Sequence, residues 1–511
     1  MLYQKISPPN KLKSEVTIES KRDYKEKLVG SIKVIYEKDI IRNIDKQSDY
    51  YLFFYFHGLS LLNESGTFCF ITSNSWLDVE YGRTLQEFVL KYAPVHAIYD
   101  NMAKKSFAHA DVNTIIALLG APIFKQEKIE GLKIVGNTNW PMLSHTAKFI
   151  MFKKPFEECI NTTNLIEIEK SSGLFKTSDM RIFCISQKEL YEEGLTADKS
   201  YFGTMWGGRY LRSPDIFLDI QNKSKEKLIR LRDVVNVETY LNTLGSDKFF
   251  FVSLEKCTGN LCTIKSRIDD STFDLERQFL TEFIESPKEI KSILIKGNFK
   301  TKLFRIPKDI PTSDLKKSKA YEYIKFGKRK NFKTELPKQA YDGRKIIMAC
   351  YQGASHIINY NPNKVISHRF FRLIPKNKEI DEEKLVLLLN STLSSLSLES
   401  FRNPSLGGGV LAHGTYTIKE FIIPKPEKIQ FNENKITKFT NREIRSIFEE
   451  LGINPDKPIR EQEPKPLPDR AELDKIIFDE LGLTKEERKE VYWAVCELVK
   501  QRLEKAKSLK E

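Results

Sequence analysis

The strongest constraint on the fold is a series of apolar segments between Asp49 and Leu119 whose periodicity alternates between helical and strand-like. The string DYYLFFYFHGLSLLN, Asp49 to Asn63, is densely apolar and closes on Glu64-Ser65-Gly66. That pattern predicts a buried helix stopped by glycine. Thr67 to Thr72 (TFCFIT) predicts a strand running into the polar turn Ser73-Asn74-Ser75, and Tyr81 to Tyr92 returns to helical spacing. Val95 to Asp100 (VHAIYD) and Val112 to Leu119 (VNTIIALL) predict two further strands. Helix, strand, helix, strand, loop, strand implies an open α/β sheet.

Periodicity weakens from Phe149 to Ser200, where a linker or small subdomain is expected. From Tyr201 to about Pro424 the elements are mixed: a turn-rich YFGTMWGGRYLRSPD, a strand-like DKFFFV, KVISHRFFRLIP, then a helical EEKLVLLLNSTLSSLSL. This reads as a separate α+β domain. In the tail, Asp469 with Glu472 and Thr484 with Glu487 each match a capping box ahead of apolar periodicity, so two helices are expected. In the second, Val491, Val495, Leu498 and Val499 share a face.

With 511 residues, 40% of them hydrophobic, the chain is long enough for two or three domains and is not a disordered polymer. Its 83 Lys and Arg against 69 Asp and Glu give a net charge of +14, which favours a polyanionic partner. Between Lys296 and Lys345 stand 16 basic and 5 acidic residues, so most of the excess lies in this stretch. Phe299, Phe304, Tyr321, Tyr323, Phe326, Phe332 and Tyr341 interleave with the charges, the composition of a surface that tracks a nucleic-acid backbone. A solvated charged face is the plainer alternative.

The seven cysteines are scattered; only Cys257 and Cys262 are close, with no second Cys or His pair at metal-ligand spacing. Zinc is not expected, and the odd count suggests reduced thiols in a cytoplasmic protein. No signal-peptide core opens the chain, and the longest apolar run, Tyr50 to Phe56, is too short to cross a bilayer.

The segment Gly66 to Leu119 (GTFCFITSNSWLDVEYGRTLQEFVLKYAPVHAIYDNMAKKSFAHADVNTIIALL) resembles the part of adenine-specific DNA methyltransferases that follows their catalytic Asn-Pro-Pro-Tyr motif. Three features occur together in that family's order: the strand ending in ITSNSWL, the helix after Tyr81-Gly82, and the string F-x-x-A-x-V-N-T-x-I. GGRYLRSPDIF (Gly207 to Phe217), ETYLNTLGSDKFF (Glu238 to Phe250), SHRFFRL (Ser367 to Leu373) and LLLNSTL followed by GGGVL (Leu387 to Leu411) resemble the TaqI-like specificity domain of type IIG restriction-modification enzymes. The resemblance covers most of the chain. It implies a partial Rossmann-like methyltransferase sheet over residues 1–150, a linker or subdomain at 151–200, a target-recognition domain at 201–425, and a helical extension at 426–511.

The family's donor-binding glycine turn, its acidic ribose partner and the Asn-Pro-Pro-Tyr motif do not occur in this sequence; Pro8-Pro9 stands between Ser7 and Asn10. The resemblance therefore implies no catalytic residue and no cofactor-binding residue in this chain. S-adenosyl-L-methionine would serve the complete enzyme, with a separately encoded N-terminal methyltransferase or nuclease half as partner and double-stranded DNA as substrate. A recognition subunit without catalysis and an inactive gene remnant are the alternatives. A metal-dependent nuclease pair at Pro214-Asp215 and Glu289-x-Lys291 is disfavoured by its long separation.

Methylating an adenine amine requires the base to leave the duplex and enter a pocket. By resemblance Phe107 contacts the flipped base. Asn74 and Trp76 follow the first strand's C-terminal end, where open α/β sheets place their ligand crevice, so they are candidates for the pocket wall; capping and core packing are their plainer roles. Arg209, Arg212, Arg369 and Arg372 are candidates for base reading, because a guanidinium grips guanine bidentately. Arg372 also suits an ion pair within its domain. Lys328, Arg329 and Lys330 are candidates for phosphate contacts. Gly407-Gly408-Gly409 is a flexible turn or a close approach to DNA.

Overall fold

The computed structural model describes residues 18–36, 44–45, 48–101, 113–123, 141–239, 241–297, 299–307, 309–336, 343–401 and 410–507. The chain divides into two compact units. The first comprises 1–218 and 400–405, the second 219–399 and 406–511.

In the first unit, α1 (Ile18–Ile35) and α2 (Tyr50–Ser60) precede β1 (Thr67–Ser73); α3 (Arg83–Tyr92), β2 (Val95–Asn101) and β3 (Thr114–Gly120) follow. The apolar string after Asp49 forms α2 with Asp49 accepting from the Tyr50 amide as N-cap, and it buries Tyr51, Leu52, Phe53, Tyr55, Phe56 and Leu59. β4 (Thr146–Phe152), α4 (Thr162–Lys170), β5 (Phe175–Lys176), β6 (Met180–Ser186) and α5 (Gln187–Gly194) complete the layer. The strands form one mixed sheet in the order β1-β3-β2-β4-β6-β5. β3 runs antiparallel to both β1 and β2, and β2 is parallel to β4.

Residues 151–200, expected as a linker or small subdomain, thus supply strands to the same sheet. Their weak periodicity does not mean the absence of a core. Ile150, Phe152, Cys159, Ile168, Met180 and Ile182 pack as a second apolar cluster.

β1 forms one edge of the sheet, and among the described residues no strand pairs with its outer side. Thr67, Cys69 and Ile71 along it are exposed, Ile71 by 37%.

The second unit is α+β. Its strands are β7 (Leu228–Arg230), β8 (Val235–Glu238), β9 (Phe251–Thr258), β10 (Leu261–Lys265), β11 (Thr272–Glu276), β12 (Leu280–Ile284), β13 (Thr301–Phe304), β14 (Ile346–Ala349), β15 (Tyr351–Gln352), β16 (Ile358–Tyr360), β17 (Ile366–Ser367), β18 (Phe370–Pro375), β19 (Leu411–Ala412) and β20 (Ile422–Pro424). Two sheets dominate, ordered β11-β10-β9-β13-β12-β17 and β16-β14-β18-β8. The first packs on the helix Ala320–Arg329 through Phe249, Phe304, Tyr323 and Phe326. SHRFFRL carries the chain from β17, in one sheet, to β18, in the other, with Arg369 at the crossing in a left-handed conformation (φ 61°).

The Ser-rich string forms two helices, Glu382–Leu389 and Thr392–Ser400, rather than one. Asn390 turns its side chain onto the carbonyls of Ile358 and Val386, and buried Asp474 receives the Thr392 amide at 2.8 Å to start the second helix. Of the two expected capping boxes, Thr484 and Glu487 bond reciprocally. Asp469 does not cap its helix. Pro468 opens that helix, and Asp469 instead accepts from Arg442.

Cys257 and Cys262, expected as reduced thiols, form a disulfide across the β9–β10 hairpin. The register explains the proximity, since the two residues face one another directly across the strands.

Candidate target loop and nucleic-acid face

At the C-terminal end of β1 the chain turns through the 3-10 segment Asn74–Leu77. Ser73 accepts from the Ser75 amide, and the Asn74 amide donates to the Asn113 carbonyl at 3.0 Å, linking the turn to the start of β3. Asn74 is buried at 4% exposure. Trp76 is fully buried, meeting Trp206 edge-on at 5.7 Å and Tyr55 at 5.5 Å. The plainer reading of Trp76 therefore describes its surroundings: its ring fills the core beneath the turn.

The helix that follows needs glycine at position 82, because a Cβ there would lie 1.9 Å from the Trp76 carbonyl oxygen. Gln86, also fully buried, donates to the Trp76 and Leu77 carbonyls at 3.2 Å each. Tyr51 and Tyr81 share a hydroxyl hydrogen bond of 3.0 Å on the same side of the sheet. Burial raises both phenols above their ordinary value, so they stay neutral hydrogen-bonding groups.

GGRYLRSPD forms a single π-turn, Gly207–Arg212, followed by α6 (Asp215–Lys223). Its arginines turn inward. Arg212 pairs with Asp78 at 2.5 Å, with 6% and 3% of their side chains exposed. Arg209 pairs with Glu193 at 2.6 Å and is 15% exposed. Expected at DNA, both spend their charge within the unit in this conformation, and Arg212 lies beneath the surface.

Sequence reasoning missed Arg181 on β6. Its guanidinium, 1% exposed, collects the carbonyls of Tyr210, Leu211 and Ser213 left open by the π-turn and pairs with Asp215 at 2.7 Å. Burial works to raise the Asp215 carboxyl, yet Arg181 holds it below its usual range. A lone arginine in an apolar strand, MRIFCIS, is the signal that could have marked it.

In the second unit the basic stretch separates into two faces. Helical spacing on Ala320–Arg329 turns Tyr323, Ile324 and Phe326 into the core and leaves Glu322, Lys325, Lys328 and Arg329 exposed. Phe299 and Phe304 are buried as well. These aromatics build the module rather than offer stacking surfaces for bases. Lys330 ends the helix, exposed, and lies 3.3 Å from Asp269. Lys328 and Arg329 make no ion pair among the described residues.

Arg369 is exposed, and its backbone adopts a conformation uncommon for a non-glycine residue. Neighbouring His368 is buried against Phe251, and burial lowers its pKa below the ordinary histidine value. Arg372 sits on β18 opposite Glu238 and approaches it to 3.4 Å, the ion pair within the domain foreseen as its alternative. Structure therefore gathers Asn74 and Trp76 in one turn, and places Lys328, Arg329, Lys330, Arg369 and Arg372 in the second unit. Phe107 and Gly407-Gly408-Gly409 lie outside the described residues.

No metal-holding cluster of three or more His, Cys, Asp or Glu occurs among the described residues, and no described helix is long and apolar enough to cross a membrane.

The first unit thus carries a mixed sheet with an antiparallel strand between two strands of common direction and a polar turn at the end of β1, and the second is an α+β unit with an exposed basic helix face. Residues 19–107 match the family model described as Eco57I restriction-modification methylase. Over those residues the chain is similar to a restriction-modification methylase. No curated protein matches it in sequence.

Among solved structures, that of the type IIG restriction endonuclease BpuSI overlays with a TM-score of 0.41 and 12% identity, covering 97% of this chain and 53% of that one. The type IIL restriction-modification enzyme MmeI in complex with DNA gives 0.42 and 11%, covering 94% and 55%. The chain thus spans about half the length of these proteins.

Proposed function

We propose that this chain is the target-recognition half of a site-specific adenine DNA methyltransferase of the type IIG restriction-modification kind. The family match over residues 19–107, whose described part holds most of α1 together with α2, β1, α3 and β2, carries the reading. In it, the turn Asn74–Leu77 borders the crevice that receives an extruded adenine. Asn74 borders that pocket and Trp76 supports it from below, while Phe107 is given contact with the base by resemblance alone. Lys328, Arg329 and Lys330 hold phosphates, while Arg369 reads a base edge.

A polypeptide carrying the S-adenosyl-L-methionine loop and the Asn-Pro-Pro-Tyr motif pairs with the free edge of β1. An exposed strand edge with apolar residues is a surface that proteins ordinarily pair or cover. No residue of this chain is assigned to the donor. The donor supplies an electrophilic methyl group. This chain's residues position the base and the duplex.

Fluorescence anisotropy with duplex DNA tests the reading. Sequence-preferring binding that weakens steeply with salt supports it, and salt-insensitive or absent binding overturns it. A recognition subunit with no chemistry would bind equally well, so methyl transfer after co-expression with the donor-binding half separates the two.

A further inference from the structure

We propose that the Asp78–Arg212 pair is a positioning device for the turn that follows β1, holding residues 73–78 in the geometry an extruded adenine requires. The inference rests on the methylase reading above and assigns Arg212 a role away from DNA.

The pair joins two segments remote in sequence. Asp78 ends the 3-10 segment Asn74–Leu77, and Arg212 ends the π-turn. One Asp78 oxygen accepts from Arg212 Nη2 at 2.5 Å and the other from the Gly208 amide at 2.8 Å, so the carboxylate bridges both ends of the π-turn. Gly207 is required for this approach. A Cβ there would come within 2.5 Å of both an Asp78 oxygen and Arg212 Nη1. Trp206, just before the turn, packs on Trp76, and Arg181 fixes the turn's far carbonyls.

The turn after β1 is therefore held against a support that is itself clamped. Two features say the arrangement serves geometry. First, Nε and Nη1 of Arg212 are buried with no hydrogen-bond partner, a desolvation loss that a well-packed apolar pair would avoid. Second, π-helical turns are rare and occur frequently at functional sites. An ion pair directional at both ends fixes Asp78, and through it the orientation of Asn74 four residues earlier. Apolar packing would allow the turn to slide.

The test removes both charges together, Asp78→Asn with Arg212→Gln, so that neither is stranded in the interior. In the full chain alone, hydrogen exchange of amides 74–79 should rise about tenfold or more, with the melting temperature and duplex affinity close to wild type. In the enzyme reconstituted with the donor-binding half, kcat should fall about tenfold or more with KM for DNA little changed. The fluorescence of 2-aminopurine placed at the target adenine should fall with it. Arg212→Lys, which keeps the charge, should recover part of kcat.

Unchanged exchange at 74–79 would overturn the proposal, as would kcat, KM and melting temperature falling in proportion. If the wild-type pair of halves transfers no methyl group, the methylase reading fails, while the exchange measurement still decides whether the ion pair holds the turn.

Discussion

Arg212 in the first unit and Arg329 in the second are both arginines in motifs rich in Gly, Lys or Arg, yet their environments are opposite. Arg212 is buried on a carboxylate. Arg329 is exposed at the last turn of a helix whose inner face packs a core. The difference teaches that a basic residue's role follows from what the opposite face of its element must bury, not from its charge. Around the first-unit turn the charge is paired inside the unit; on the second unit's helix it stays exposed to solvent.

The largest expected effect breaks the first side of this contrast. Asp78→Ala leaves the buried Arg212 without its partner and should lower unfolding free energy by about 3–5 kcal/mol, measured by denaturant titration. Little or no loss would mean the guanidinium rehydrates and the interior is less closed than described.

Next, Arg369→Ala should reduce discrimination at one base pair by about 1–3 kcal/mol in competition binding, with affinity for unrelated duplexes nearly unchanged. A uniform loss across all sequences would make Arg369 a phosphate contact.

His413 sharpens the contrast from within the second unit. Burial pushes its pKa down from 6.5 to about 3, despite the nearby Glu399 carboxylate, so the folded chain holds it neutral. The unfolded chain protonates near pH 6.5 and the folded one does not until about pH 3. Stability should accordingly fall as pH drops through that window, by about 1.4 kcal/mol per pH unit once below 6.5. His413→Asn should flatten this dependence between pH 6.5 and 5; an unchanged slope would place the acid-sensitive group elsewhere.

The smallest effect on stability belongs to Lys328→Ala with Arg329→Ala, expected within about 0.5 kcal/mol of wild type in unfolding. Yet the slope of log affinity against log salt should shrink by about 2. An unchanged slope would remove this helix end from the nucleic-acid face.

Much of the first sheet was legible because each of α2, β1, α3, β2 and β3 carries a strong period and an end signal, such as Glu64-Ser65-Gly66 after α2. Their lateral order was not legible. It depends on pairing between β3 and two strands at very different sequence separations, which no local pattern encodes. The extension of the sheet into 151–200 likewise rests on pairing, of β6 with β4 and β5, that no local pattern encodes.

At the site, the turn after β1 could be located from its polar run, but the inward fate of Arg209 and Arg212 could not. It is decided by Glu193 and Asp78, 16 and 134 residues away. The basic stretch was legible as charge, whereas the inward direction of its aromatics required the helical phase. Cys257 and Cys262 were visible as neighbours, but their pairing needed the register of β9 on β10.

The most direct test of the central claim is transfer of a radiolabelled methyl group from S-adenosyl-L-methionine to duplex DNA, by this chain alone and then with the donor-binding half. The account predicts none from the chain alone and, with both present, N6-methyladenine in a single sequence context. Transfer by the chain alone would contradict it, as would a lack of transfer by the two halves together.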